Sequence, residues 1–224
     1  MITMERVELE IERLLDALQS EAQVVGGGPR ANREWLVRLW SLRWGLARGT
    51  RRRYLTLATQ FDLAGHGAVR DVVYHWATDD DCHERVAEAA LWDLGADASE
   101  TPLDAKLWDA YLDSIVVVRP WLACGAMGAW EELAATAIEL GEQRAARASR
   151  LPVTAFSDRS SRWEELLTAL RGETLDADEM AALVEGISTA RVLGLRMVQW
   201  TLGRDEADVN WRGRGFFRWT TSRL

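Results

Sequence analysis

DDDCHERVAEAALWDLG, Asp79 to Gly95, runs three aspartates, a cysteine, a histidine and a glutamate straight into a helical apolar pattern. Counting outward in steps of three and four gives Val69, Val73, Trp76, Asp80, His83, Ala87, Ala90 and Leu94. That stripe predicts one amphipathic helix from about Gly67 to Leu94, closed by Gly95 as C-cap. Asp80 and His83 are its only polar members, and their i, i+3 spacing lets both reach one interior spot. Asp79 and Asp81 fall off the stripe and belong to water. His75 lies toward the stripe's edge.

A second stripe follows downstream: Cys124, Met127, Glu131, Ala134, Ile138 and Gly141. Glu131 is its only charged member, while Glu132 falls with Gly125, Ala129 and Thr136 on the side expected to face outward. A carboxylate on a core stripe is costly unless it is paired, protonated or metal-bound. Two readings follow. Asp80 and His83 form a satisfied core pair while Glu131 meets an arginine such as Arg119, Arg159 or Arg162. Alternatively, these side chains build a site inside a helical bundle, where helical folds place their metals and substrates.

The rest of the chain reads the same way. Ala, Leu, Glu and Arg dominate, so the expected fold class is all-α. A first helix covers about Glu5 to Val24, with Val7, Ile11, Leu14, Leu15 and Leu18 on one face. GGGP stops it. Asn32 caps a second helix, and TRRRYLTLATQFDLAG is a third that ends near Gly65. Pro102 or Asp104 opens a helix over Ala105–Val118, and Pro120 kinks or restarts it. Helices then follow over Trp121–Ser149, over DRSSRWEELLTAL, and from Asp176 onward. Residues 1–202 make a helical domain. Residues 203–224 form a basic, aromatic tail, packed on that domain or at a dimer interface.

The 224 residues carry a formal charge of −8, against the basic footprint of nucleic-acid binders. No segment reaches the roughly 18 apolar residues that span a bilayer, and the N-terminal stretch lacks a secretory pattern. Cys82 and Cys124 have no paired spacing. A cytoplasmic, reducing location is expected. The twelve tryptophans either fill a helical core or line a pocket for a flat ligand.

The opening segment resembles the EEEGHEELLLRDLEALG segment of the heme-oxygenase-like superfamily, position for position and without gaps. That group includes thiaminase II, pyrroloquinoline quinone synthase and the heme-oxygenase-like diiron oxidases. Asp79–Asp81 stand for its acids, His83 for its histidine and Glu84 for the next acid. GAMGAWEELA resembles the glutamate-bearing helix, with Glu131 in the glutamate position. LDADEMAALVEGISTARVLGLRM resembles the closing helix. The likeness runs from about Trp35 to Leu202. It implies a single bundle of seven to eight helices with a central pocket, and often a homodimer.

One departure qualifies it. Metal-dependent members carry an H-x3-D-x2-H array on the penultimate helix. Aligned on WEELL, those positions hold Ala155, Arg159 and Arg162, and no histidine follows His83. The resemblance therefore implies no metal, or iron held only by His83, Asp80 and Glu131. It implies an enzyme of small-molecule, secondary metabolism: an oxidoreductase or cyclase acting on an organic substrate by acid–base chemistry. His83 would be general acid or base, oriented by Asp80, with Glu131 as second proton-transfer group. Tyr54, Trp76 and Trp130 would stack on a flat substrate, and Arg159 and Arg162 would bind an anionic one. Cys124 would be a pocket residue or nucleophile. The alternatives are a non-catalytic ligand-binding or scaffold relative, and an iron-dependent oxidase with unusual ligands. Heme oxygenase itself is disfavoured because no histidine precedes His66.

Overall fold

Glycine, proline and aspartate set the helix ends, and a computed structural model shows how. It describes residues 4–26, 33–79, 83–97, 101–133 and 162–201. Every described element is an α-helix: α1 (Met4–Gly26), α2 (Arg33–Ala47), α3 (Thr50–Ala64), α4 (Gly67–Asp79), α5 (His83–Asp93), α6 (Leu103–Ile115), α7 (120–133), α8 (Arg162–Arg171) and α9 (Ala177–Thr201). Asn32, Asp80, Asp81, Cys82, Ala155, Arg159, the helix expected over 134–149, the tail 203–224 and the side chain of Leu18 lie outside the described residues.

Gly65 takes a left-handed φ of 85°, which only glycine adopts freely. The Gly65 amide then bonds Asp62 O and the His66 amide bonds Phe61 O, the paired closure of a Schellman cap. Gly95, at φ 59°, repeats the device on Trp92 and Leu91. The Asp176 carboxylate accepts from the amides of Asp178 (2.8 Å) and Glu179 (2.9 Å), and Glu179 returns the contact to the Asp176 amide, a reciprocal N-terminal cap. Pro120 restarts the chain as the first residue of α7.

The single helix expected over Gly67–Leu94 is two elements, α4 and α5. They pack against different neighbours: α4 on α3 and α8, α5 on α2. Val69, Val73 and Trp76 are fully buried in the first. In the second, Ala87 and Leu91 are buried while Ala90 and Leu94 are only half-buried, so the apolar line shifts between the halves. Arg33, at the start of α2, reaches the carbonyls just past the end of α5, Leu94 O (2.9 Å) and Gly95 O (3.0 Å). A cation there complements the negative end of the helix.

α7 is the centre. Residues 121–129 are buried on every side, as an all-round apolar helix must be. Gly125 and Ala129, expected to face outward, are therefore interior. A β-carbon on Gly125 would lie 2.1 Å from Leu183 O of α9, and one on Gly186 would lie 2.1 Å from Leu122 O of α7. Gly128 in turn admits Leu166 and Trp163 of α8. Small residues let α9 and α8 close on α7, which leaves residues 121–129 no outward face.

Candidate functional site

Four helices bring one polar group together inside the protein. Arg53 and Tyr54 are neighbours on α3, and Tyr54 points inward, 1% exposed. Its hydroxyl donates to Glu131 Oε1 on α7. Arg162, the first residue of α8, donates from Nη1 to Glu131 Oε2 at 2.7 Å. Both members of this ion pair are buried. Trp76 of α4 closes the group, its ring 5.6 Å from that of Tyr54 and nearly perpendicular to it. Of the described arginines expected to meet Glu131, Arg162 does. Arg119 instead pairs with Glu185 of α9 at 2.7 Å, and Arg159 lies outside the described residues.

The stripe that carries Glu131 is where the sequence puts it: Cys124, Met127 and Glu131 are all buried. Cys124 is fully enclosed, and burial pushes its thiol well above the usual thiol range. A thiol in that setting stays protonated, which removes the thiolate that nucleophilic attack needs. Trp130 turns away from Glu131 toward α6, where its ring lies 5.6 Å from Trp108. Tyr54 meets the site through its hydroxyl and its ring edge, whereas the sequence suggested a stacking face.

His83 opens α5 and is half-buried, in line with Ala87 and Leu91 one and two turns on. Its expected partnership with Asp80 assumed an unbroken helix through both. α5 begins at His83 itself, and Asp80 lies outside the described residues. Asp79, assigned to water, is 49% exposed, but its carboxylate also lies 3.9 Å from Arg162 Nη2 and 3.5 Å from His75 Nε2. The signal was available, since Asp79 stands three residues after inward Trp76 and so shares its side of the helix. A polar path thus leads from buried Glu131 through Arg162 to two surface groups.

The donor set bears on metal binding. Both Glu131 oxygens already accept hydrogen bonds, one from a phenol and one from a guanidinium. A metal cation there would face the charge of Arg162. Among the described residues no group of three His, Cys, Asp or Glu side chains converges as a metal site. Glu131, held by both partners, is not arranged as a metal ligand.

Fold and site together define an all-α protein with a buried tyrosine–glutamate–arginine cluster at its core. No protein-family model, curated protein or solved structure matches the chain. Among the described residues, no helix is long and apolar enough to cross a membrane.

Proposed function

We propose that the chain has a heme-oxygenase-like fold and is an enzyme of small-molecule metabolism, working on a flat organic substrate by acid–base chemistry without the diiron centre. The observation that carries this reading is the buried Tyr54–Glu131–Arg162 cluster. An interior ion pair is often no more stabilising than well-packed apolar side chains of the same volume. Both of its side chains are buried, 6% and 8% exposed, whereas in Arg196–Asp104 and Arg53–Asp109 one partner reaches 21% and 30%. A pair closed off from water on both sides argues for chemistry over packing. Arg162 supplies a fixed positive charge for an anionic substrate group. Tyr54 and Glu131 share a hydrogen bond along which a proton can pass. His83, half-buried at the start of α5, is the second proton-transfer group in this reading. Trp76 and Tyr54 form the aromatic wall.

A second reading has its own observation. Glu131 is engaged on both oxygens, so a substrate must displace Tyr54 or Arg162 to reach it. A relative that binds a ligand without turning it over tolerates that engagement.

The test starts with metal analysis of protein from iron-supplemented cells, beside His83→Ala and Glu131→Ala. The expected result is no stoichiometric iron in any of the three. About one or two irons per chain, lost in both variants, overturns the acid–base reading. Flat organic acids are then screened by quenching of tryptophan fluorescence. A compound that is consumed, at a rate that collapses in Glu131→Gln, establishes the enzyme. One that binds and is recovered unchanged establishes the binding protein.

A further inference from the structure

Trp76 does more than wall the site. Its side chain is completely buried, 0% exposed, yet Nε1 has no hydrogen-bond partner among the described residues. Buried indole N–H groups ordinarily find an acceptor, and leaving one without is costly. The polar groups of the cluster are engaged with one another. Arg162 carries donors only. Both Glu131 oxygens already accept, one from Tyr54 and the other from Arg162. The Tyr54 ring stands nearly perpendicular to the indole at 5.6 Å. An orphan donor therefore lies one ring away from the interior ion pair.

We infer that Trp76 orients the ligand of this site: its indole N–H is held for a carbonyl or carboxylate oxygen of a flat organic molecule lying against Tyr54 and Trp76. The inference rests on the reading of the site given above and adds what that site recognises. Stacking alone tolerates any flat ring. An N–H donor in that aromatic wall selects rings that carry an acceptor oxygen and rejects those that lack one, because the buried donor is then left unmade. Phenylalanine at this position would keep most of the packing and lose the selection.

Nitrogen-15 labelling of tryptophan gives one indole N–H resonance for each of the twelve tryptophans, and Trp76→Phe assigns the one of interest by its disappearance. Should that variant not fold, Trp76→Tyr assigns the resonance, and the ligand-free position and benzoate shift of that resonance carry the test. The probe is benzoate, the smallest flat ring with a carboxylate. In ligand-free protein the Trp76 resonance is expected upfield, with indoles that donate to nothing. Saturating benzoate moves it downfield, and Trp76→Phe binds benzoate roughly tenfold or more weakly. A ligand-free resonance already among the hydrogen-bonded indoles means a partner within the chain; it overturns the inference and leaves the site reading standing. So does benzoate that shifts the Arg162 side chain while Trp76 stays in place. Absence of any benzoate binding overturns both.

Discussion

The two sides of α7 are held in opposite ways. Toward α9 the contact is dry and backbone-close: Gly125 sits against Leu183 O, and Gly186 against Leu122 O and the Ala126 amide. Toward α3 and the first residue of α8 the contact is polar, with Glu131 gripped by Tyr54 and Arg162, while Gly128 lets the rest of α8 pack dry through Leu166 and Trp163. The dry side is specified by size alone, and one added carbon is enough to spoil it. The polar side is specified by charge, and its members depend on one another. Shape complementarity supplies stability on the first side. The second contributes little net stability, because desolvation of both ions offsets their attraction. A polar side that adds little stability is where function is to be sought.

Loss of one member of the ion pair should cost the most. Arg162→Met leaves the Glu131 carboxylate buried without its cation and should lower unfolding stability by about 3–5 kcal/mol, read by urea titration. The double variant Glu131→Leu, Arg162→Met removes both charges and should recover most of that loss. If the double variant stays as unstable as the single one, the pair is structural and the contrast between the two sides disappears. The dry side behaves differently. Gly186→Ala places its new carbon against backbone atoms of α7 that cannot turn aside, so the helices must separate. The overpacking exceeds the gain in helix propensity, for a net loss of about 2 kcal/mol. No second substitution of charge should rescue it.

Much of this division was legible in the sequence, and for identifiable reasons. Gly65, Gly95 and Asp176 announced helix ends because left-handed φ and side-chain capping restrict residue choice. Glu131 stood out as the lone charge on an apolar stripe, and Arg162 was among the arginines expected to meet it. The division of Gly67–Leu94 into α4 and α5 was not legible. Nothing between Gly67 and Gly95 is a glycine or proline, so the helical period runs on unbroken across the three aspartates. Aspartate suits a solvated face and a helix start equally well, and periodicity does not choose between them. The inward turn of Gly125 and Ala129 was hidden for a related reason. Small residues look neutral on a helical wheel, and their importance appears only when Gly186 arrives from far along the chain. Buried Arg53, inside the run TRRR, was likewise invisible. Its guanidinium is committed to Asp109 (3.0 Å) and Asp113 (2.8 Å) of α6.

Tyr54→Phe probes the polar side more gently than loss of the cation. It removes one donor from Glu131 and keeps the ring against Trp76. The carboxylate oxygen is left unsatisfied in a dry place, so stability should fall by about 1–2 kcal/mol. The diagnostic is non-additivity. In a double-mutant cycle, Tyr54→Phe should cost much less in the background that already lacks both Glu131 and Arg162, because its partner oxygen is gone. Equal cost in both backgrounds would mean that Tyr54 acts by packing, like the residues on the dry side.

The smallest effect belongs to the rim, where α3 meets α6. The hydrogen bond from Arg53 is the main cause that holds the Asp113 carboxyl below its ordinary value of 3.8. A carboxyl lowered in the folded state stabilises the fold above its unfolded pKa, and that contribution fades as pH falls through the lower, folded value. The window is therefore acidic, below pH 3.8. Beside it, burial is the main cause that raises the carboxyl of Asp109. That group works in the opposite sense: its contribution is full below its unfolded pKa and is lost as pH rises through the folded one. Asp113 is nearly half exposed, 45%, so water and salt screen its pair. Asp113→Asn should cost under about 1 kcal/mol at neutral pH. The same substitution should flatten the acid limb of the stability curve, while Asp109→Asn should leave that limb in place. If Asp113→Asn costs as much as Arg162→Met, then burial is not what separates the rim from the core, and the polar side of α7 loses its claim to be distinct.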